Sequence, residues 1–230
     1  MEKEKLQSVR MARFIAVLAT GLFVLAACSN EDEGDPPNEG TSEILDEVVT
    51  VSAFIENELG EAPTEPAELI YESRKKVPVT DMDGIHMRLF DFSLVNGSIE
   101  VNCENNGVSM EVTLRGLVPH GVYTLWHVTF KEGGADPSKE MLNIRGIGAV
   151  GKGDGSDNFF IASPSGTASF SAFSPTGRVL SMIGDIKECP LTDEEEWHVV
   201  GSYHMDSKTY GQILGPDGTV VEQFAFVFKN

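Results

Sequence analysis

The run VSMEVTLRGL (108–117) constrains the fold more than any other stretch. Val108, Met110, Val112 and Leu114 alternate with Ser109, Glu111, Thr113 and Arg115. Successive side chains point to opposite faces of a strand, so this spacing makes one apolar face and one polar face. A helix would scatter both sets around its circumference. Comparable short β-rich runs recur from residue 85 onward, each closed by Gly, Pro, Asn or Asp. That rhythm indicates an all-β sandwich or barrel.

The expected strands are IHMRLFDFSLV (85–95), SIEVNC (98–103), 108–117, VYTLWHVTF (122–130), IRGIGAVG (144–151), NFFIAS (158–163), TASFSAF (167–173), EWHVVGSYHM (196–205) and TVVEQFAFVF (219–228). This makes about nine strands by pattern. Asn96-Gly97, Glu104-Asn105-Asn106-Gly107 and Pro119-His120-Gly121 read as turns. Pro164-Ser165-Gly166 reads as the turn of a hairpin between 158–163 and 167–173. VYTLWHVTF is apolar at most positions, as a central strand is. Upstream, SEILDEVVTVSAFIENELG has helical spacing at Ile44, Val48, Ile55 and Leu59, but its β-branched cluster VVTVSAF favours a first strand. PTEPAELIYESRKK suggests one short helix, and Thr192-Asp193-Glu194-Glu195 fits a capping box before the Trp197 strand. The expected architecture is one antiparallel β-sandwich, immunoglobulin-like, over residues 42–230.

The amino-terminal segment is of another kind. Lys3, Lys5, Arg10 and Arg13 precede FIAVLATGLFVLAA (14–27). As a helix these roughly 14 residues reach about 21 Å, short of the ~30 Å hydrocarbon core. The run therefore reads as the h-region of a signal peptide, residues 1–27. Leu25-Ala26-Ala27-Cys28 resembles the lipobox of bacterial lipoproteins. The resemblance implies cleavage before Cys28, a diacylglycerol thioether on its sulfur and acylation (palmitate, for example) of the new amino group. Two or three chains anchor firmly, where one is marginal. Residues 28–41 follow as a tether, with Glu31, Asp32, Glu33, Asp35, Glu39, Pro36 and Pro37. Such a composition buries no core. The acidic cluster after the cysteine is similar to the surface-export signal of Bacteroidetes lipoproteins. The expected address is the outer membrane, lipid-anchored, facing either the cell surface or the periplasm.

The formal charge is −19, and losing residues 1–27 moves it to about −21. Nucleic acid binding needs phosphate neutralisation by Lys and Arg, so that class of partner is excluded. Cys103 and Cys189 remain in the exported part. An oxidising compartment favours their pairing, although distance along the chain says nothing of distance in space.

His127, His198, His204 and Asp206 are candidate metal ligands. His198 and His204 share a strand face by parity, and imidazole with carboxylate suits Zn or Cu. Asp154 and Asp157, in the turn DGSDN, are candidate calcium ligands, as is the turn Asp81-Met82-Asp83-Gly84. Asp, Asn and Gly are also simply what turns require. Trp126, Trp197, Tyr123, Tyr203 and Tyr210 could form an aromatic platform or pack the core. Neither GxSxG nor HExxH occurs, and no glycine run precedes a helix as a phosphate loop must. The sequence requires no cofactor.

GVYTLWHVTF together with TDEEEWHVVGSYHMDSKTYGQILGPDGTVVEQF resembles a group of uncharacterised secreted bacterial β-sandwich proteins. The resemblance spans about half the chain and implies the fold, with no activity attached. These features lead to the expectation of a lipid-anchored, non-enzymatic module that binds a protein or glycan or serves envelope structure. The alternative is a small metal-binding protein or metalloenzyme using the His/Asp cluster.

Overall fold

The computed structural model describes residues 40–130, 144–178, 180, 185–194 and 196–229. Cys28, the lipobox and most of the tether lie outside them. Residues Glu39–Asn230 make one compact unit, which holds both apolar cores and the disulfide described below.

The unit is all-β. Among the described residues its strands are β1 (Ser42–Leu45), β2 (Val49–Thr50), β3 (Ile55–Glu56), β4 (Tyr71–Glu72), β5 (Val77–Pro78), β6 (Asn96–Glu104), β7 (Gly107–Arg115), β8 (Val122–Phe130), β9 (Ile144–Ala149), β10 (Phe159–Ile161), β11 (Ala168–Pro175), β12 (Glu196–His204) and β13 (Val220–Lys229). Two one-turn helices interrupt them, α1 (Leu89–Phe92) and α2 (Pro190–Asp193). All pairings are antiparallel. One sheet runs β1-β6-β7-β11. The other runs β10-β8-β12-β13-β2, with β9 sharing the β8 edge beyond β10. A small third sheet holds β3-β4-β5. The main sheets do not close into a barrel, and they pack face to face as a sandwich.

The core between them follows the alternation in the sequence. Val108, Met110, Val112 and Leu114 of β7 and Ile99 and Val101 of β6 point inward, against Trp197, Val199, Phe224, Phe226 and Phe228 of the second sheet. Glu111, Thr113 and Arg115 face water. In β8 and β12 every residue is buried, because both faces of that sheet are covered. A second, smaller core of Trp126, Val128, Phe130, Val200 and Ala225 lies on its outer face, flanked within the sheet by Val51 and Ile147, with the loop residues Ala53 and Leu214 packed against it. Gly201 sits where β12 passes the Phe224 ring; a Cβ there would lie 2.1 Å from the ring.

Several local expectations give way to tertiary contacts. Residues 85–95 are not a strand. They end in α1, where Phe92 N–H bonds to Arg88 O and the Phe92 carbonyl accepts from Gln223 Nε2 across the core. The turn buries the Phe92 ring in the main core. Asn96-Gly97 opens β6 as strand, held by pairing with Arg115 and Leu114. The expected hairpin of β10 and β11 is a crossover: β10 pairs with β8 and β11 with β7, in different sheets. Its turn bonds to the β7–β8 connection (Leu117 N–H to Gly166 O), and both segments cross between the layers there. The helix expected within residues 63–76 is absent, and Tyr71–Glu72 pairs as β4 instead. The capping box does not form. Thr192 lies inside α2, whose amino end is Cys189, and Asp193 accepts the Cys189 N–H.

Candidate functional site

The β8–β12 register decides the fate of the histidines. His198 stands opposite Val128, His204 opposite Val122, and His127 opposite Val199. Directly opposed residues share a face and the pleat alternates faces. His198 and His204 are therefore on the outer face and His127 on the inner one. Along β12, six residues separate His198 from His204, about 20 Å. His127 stacks on Trp197 with centroids 5.6 Å apart, and its Nε2 bonds to Ser174 Oγ of β11 at 2.8 Å, linking the two sheets. His198 Nε2 bonds to Glu196 Oε1 at 2.6 Å. His204 Nε2 bonds to Thr124 Oγ1 at 2.8 Å. Asp206 accepts from the Tyr210 hydroxyl and the Lys208 N–H, closing the turn after β12.

The candidate metal set of His127, His198, His204 and Asp206 thus does not converge. Among the described residues no group of three His, Cys, Asp or Glu could hold an ion. Burial lowers His127 to about 3, with the Arg178 charge adding to the effect. Burial likewise lowers His204 to about 4, partly opposed by Asp206.

The candidate calcium ligands cap their own loop. Asp154 Oδ1 accepts the Ser156 N–H at 2.9 Å, and Asp157 Oδ1 accepts the Lys152 N–H at 2.6 Å. Among the described residues the five candidate aromatics form no exposed platform, Tyr210 being half-buried and stacked on His204. Trp126, Trp197, Tyr123 and Tyr203 are all buried, Trp126 on the outer face of the sheet and the others between the layers. Cys103 and Cys189 are joined by a disulfide, with Cα atoms 5.4 Å apart.

A polar row escaped the sequence reading. Thr124, Ser202 and Glu222 are cross-strand neighbours on the outer face of β8, β12 and β13. Trp126 Nε1 donates to Thr124 Oγ1 at 2.8 Å, and the Tyr210 ring stacks over His204. Ser202 Oγ and His204 Nδ1 are buried without a hydrogen-bond partner. Burial raises Glu222 to about 7, with Arg74 opposing. Thr124, Ser202 and His204 are buried, while Glu222 keeps partial access to water. The row's signal was available as small polar residues at alternate positions of otherwise apolar strands, but their common face needs the register.

Among the described residues, a concave site opens to solvent. A cavity of about 350 Å³ is lined by Asp81, Ile85, His86, Met87, Asp91, Leu94, the Gly116–Pro119 connection and Ser165. Its rim is apolar and wet: Ile85 is 64% exposed and Leu94 45%. Gly116 is necessary to the wall. Its φ is +72°, and a Cβ would lie 2.1 Å from the Leu94 carbonyl oxygen. Asp81 Oδ1 accepts the N–H groups of Asp83 and Ile85 at 3.0 and 2.8 Å, which fixes the loop. His86 is held by its Nε2 bond to Ile70 O and an edge contact with Tyr71. Beneath, the Tyr203 hydroxyl donates to Thr80 O, and burial together with the Asp81 charge pushes its pKa up.

The cavity lies at one end of the sandwich, and the chain enters at the other. Cys103 N–H bonds to Thr41 O, and Ser42 pairs with Asn102, next to the disulfide. From that end β7 runs Gly107–Arg115 to the cavity wall at Gly116. Nine residues at ~3.4 Å each separate the two by about 30 Å.

No family model matches the chain, nor does any curated protein or any solved structure.

Proposed function

We propose that the protein is a lipid-anchored lipoprotein of a bacterial outer membrane and that its sandwich is a non-enzymatic binding module. The anchor reading rests on Leu25-Ala26-Ala27-Cys28 and the acidic tether behind it. The binding reading is carried by one observation: the open cavity stands at the end opposite the point where the tether joins the first strand. A module attached near Thr41 and reading ligand some 30 Å away would hold its site clear of the membrane. Apolar walls with a few polar groups and a volume within about 300–1,000 Å³ are the usual make-up of a small-ligand site.

The intact mass of the protein from its native host tests the anchor. A diacylglyceryl adduct on Cys28 with residues 1–27 removed is expected; a bare thiol or a retained leader overturns it. A fragment library screened by methyl NMR tests the site. Hits should perturb Ile85, Leu94, Leu117 and Val118 together. Hits confined to other surfaces, or none, overturn the binding reading.

A further inference from the structure

We propose that the cavity takes a small molecule with an apolar body and one cationic group, an amine or a quaternary ammonium. The inference rests on the binding reading above and adds the ligand class. Six of the lining side chains are apolar: Ile85, Met87, Leu94, Leu117, Val118 and Pro119. They would strip water from an apolar body. The lining carries two carboxyl side chains, Asp81 and Asp91, and one imidazole, His86, with neither Lys nor Arg among its residues. An anion entering there would be desolvated against two carboxylates, whereas a cation would find charge-assisted partners. The two loop N–H groups that the Asp81 carboxylate accepts both meet Oδ1, which leaves Oδ2 for a ligand. Asp91 is exposed at the mouth, beside the exposed Leu94. The volume, about 350 Å³, is near the lower limit for ligand sites and suits one ring or a short chain with its head group, not a polymer. The chain's formal charge of −19 would raise the local concentration of such cations and repel anions.

The test uses the soluble chain from Ser29, which keeps the whole compact unit Glu39–Asn230. Three probes share one aromatic body: benzyltrimethylammonium, benzyl alcohol and benzenesulfonate. Methyl NMR titrations give both the place and the Kd. The expected result is perturbation of Ile85, Leu94, Leu117 and Val118, with the cation bound at least about tenfold more tightly than the alcohol, a difference of about 1.4 kcal/mol. The double variant Asp81→Asn, Asp91→Asn should bring the two within about twofold. Asparagine keeps an Oδ1 for the loop N–H groups, so the turn survives. Ser165→Trp, at an exposed turn position, should block every probe. Equal binding of cation and alcohol, or tighter binding of the sulfonate, overturns the ligand class and leaves the binding site standing. A cation preference that survives the double variant also overturns it. If no probe perturbs these methyls, the ligand class and the binding reading fall together.

Discussion

The two main sheets obey different rules. In β6 and β7 the side chains alternate between core and water, so one face is solvated. In β8 and β12 no position reaches water, although both are antiparallel. Antiparallel sheets usually leave one face wet. Here the outer face of the second sheet carries its own apolar cluster, roofed by the loop residues Ala53 and Leu214, and the buried polar residues of that face are neutral or bonded. The consequence is visible in the charges. On the open face of the first sheet Glu100 and Glu111 stand directly opposite one another, which water tolerates. Under the roof Glu222 is raised to about 7 and His204 lowered to about 4. The open cavity lies instead at one end of the sandwich, where loops leave concave space.

Substitutions should separate the two sheets sharply. Trp126→Ala removes the largest side chain of the outer core and should cost about 3 to 5 kcal/mol in denaturant unfolding, whereas Thr113→Ala on the open face should cost almost nothing. Comparable losses at the two positions would mean that the roof does not seal the second sheet.

Opening the disulfide should weaken the first sheet at its entry end. Cys103→Ala with Cys189→Ala frees a span of 86 residues and should lower stability by about 4.5 kcal/mol on the chain-entropy model. The urea midpoint measures it, and an unchanged midpoint would show that the staple is idle.

Acid should act through the bond between the sheets. Folded His127 resists protonation down to about 3, while the unfolded chain accepts a proton near the ordinary 6.5. Its contribution is thus whole above pH 6.5 and drains away as pH falls towards 3. The loss is on the order of 5 kcal/mol. His127→Gln should flatten the acid limb of the Tm–pH curve between those values. An unaltered limb would place the sensitivity elsewhere, with His204 the next group to test.

The smallest effect belongs to the open face. Glu111→Gln relieves the pair with Glu100 and should stabilise by about 0.5 kcal/mol at low salt, less at high salt. Thermal scans at two ionic strengths would detect it.

Legibility in the sequence tracks the same division. The inward set of β7 is readable because one wet face leaves a period of two. The mostly apolar run of β8 correctly marks a central strand but conceals which residues share a face. His198 and His204 could be assigned to one face because they lie on one strand. His127 could not be related to them, since a one-residue slip between β8 and β12 would reverse its side. The cavity was not legible at all. Its walls come from residues 81–94, 116–119 and 165, which local pattern never associates.

By itself the chain determined its all-β class, most strand positions and the apolar set of the first sheet, because side-chain alternation is a local consequence of the pleat. It also carries, in residues 14–28, the motif from which the lipid anchor is proposed. Tertiary structure alone decided that Phe92 ends a helix, that β10 and β11 part into different sheets, and that Cys103 meets Cys189. It alone decided, too, that the histidines are divided between faces and that a cavity opens opposite the chain entry. Each of those outcomes depends on register and on which layer a segment packs against, and such choices are made by contacts between residues tens of positions apart.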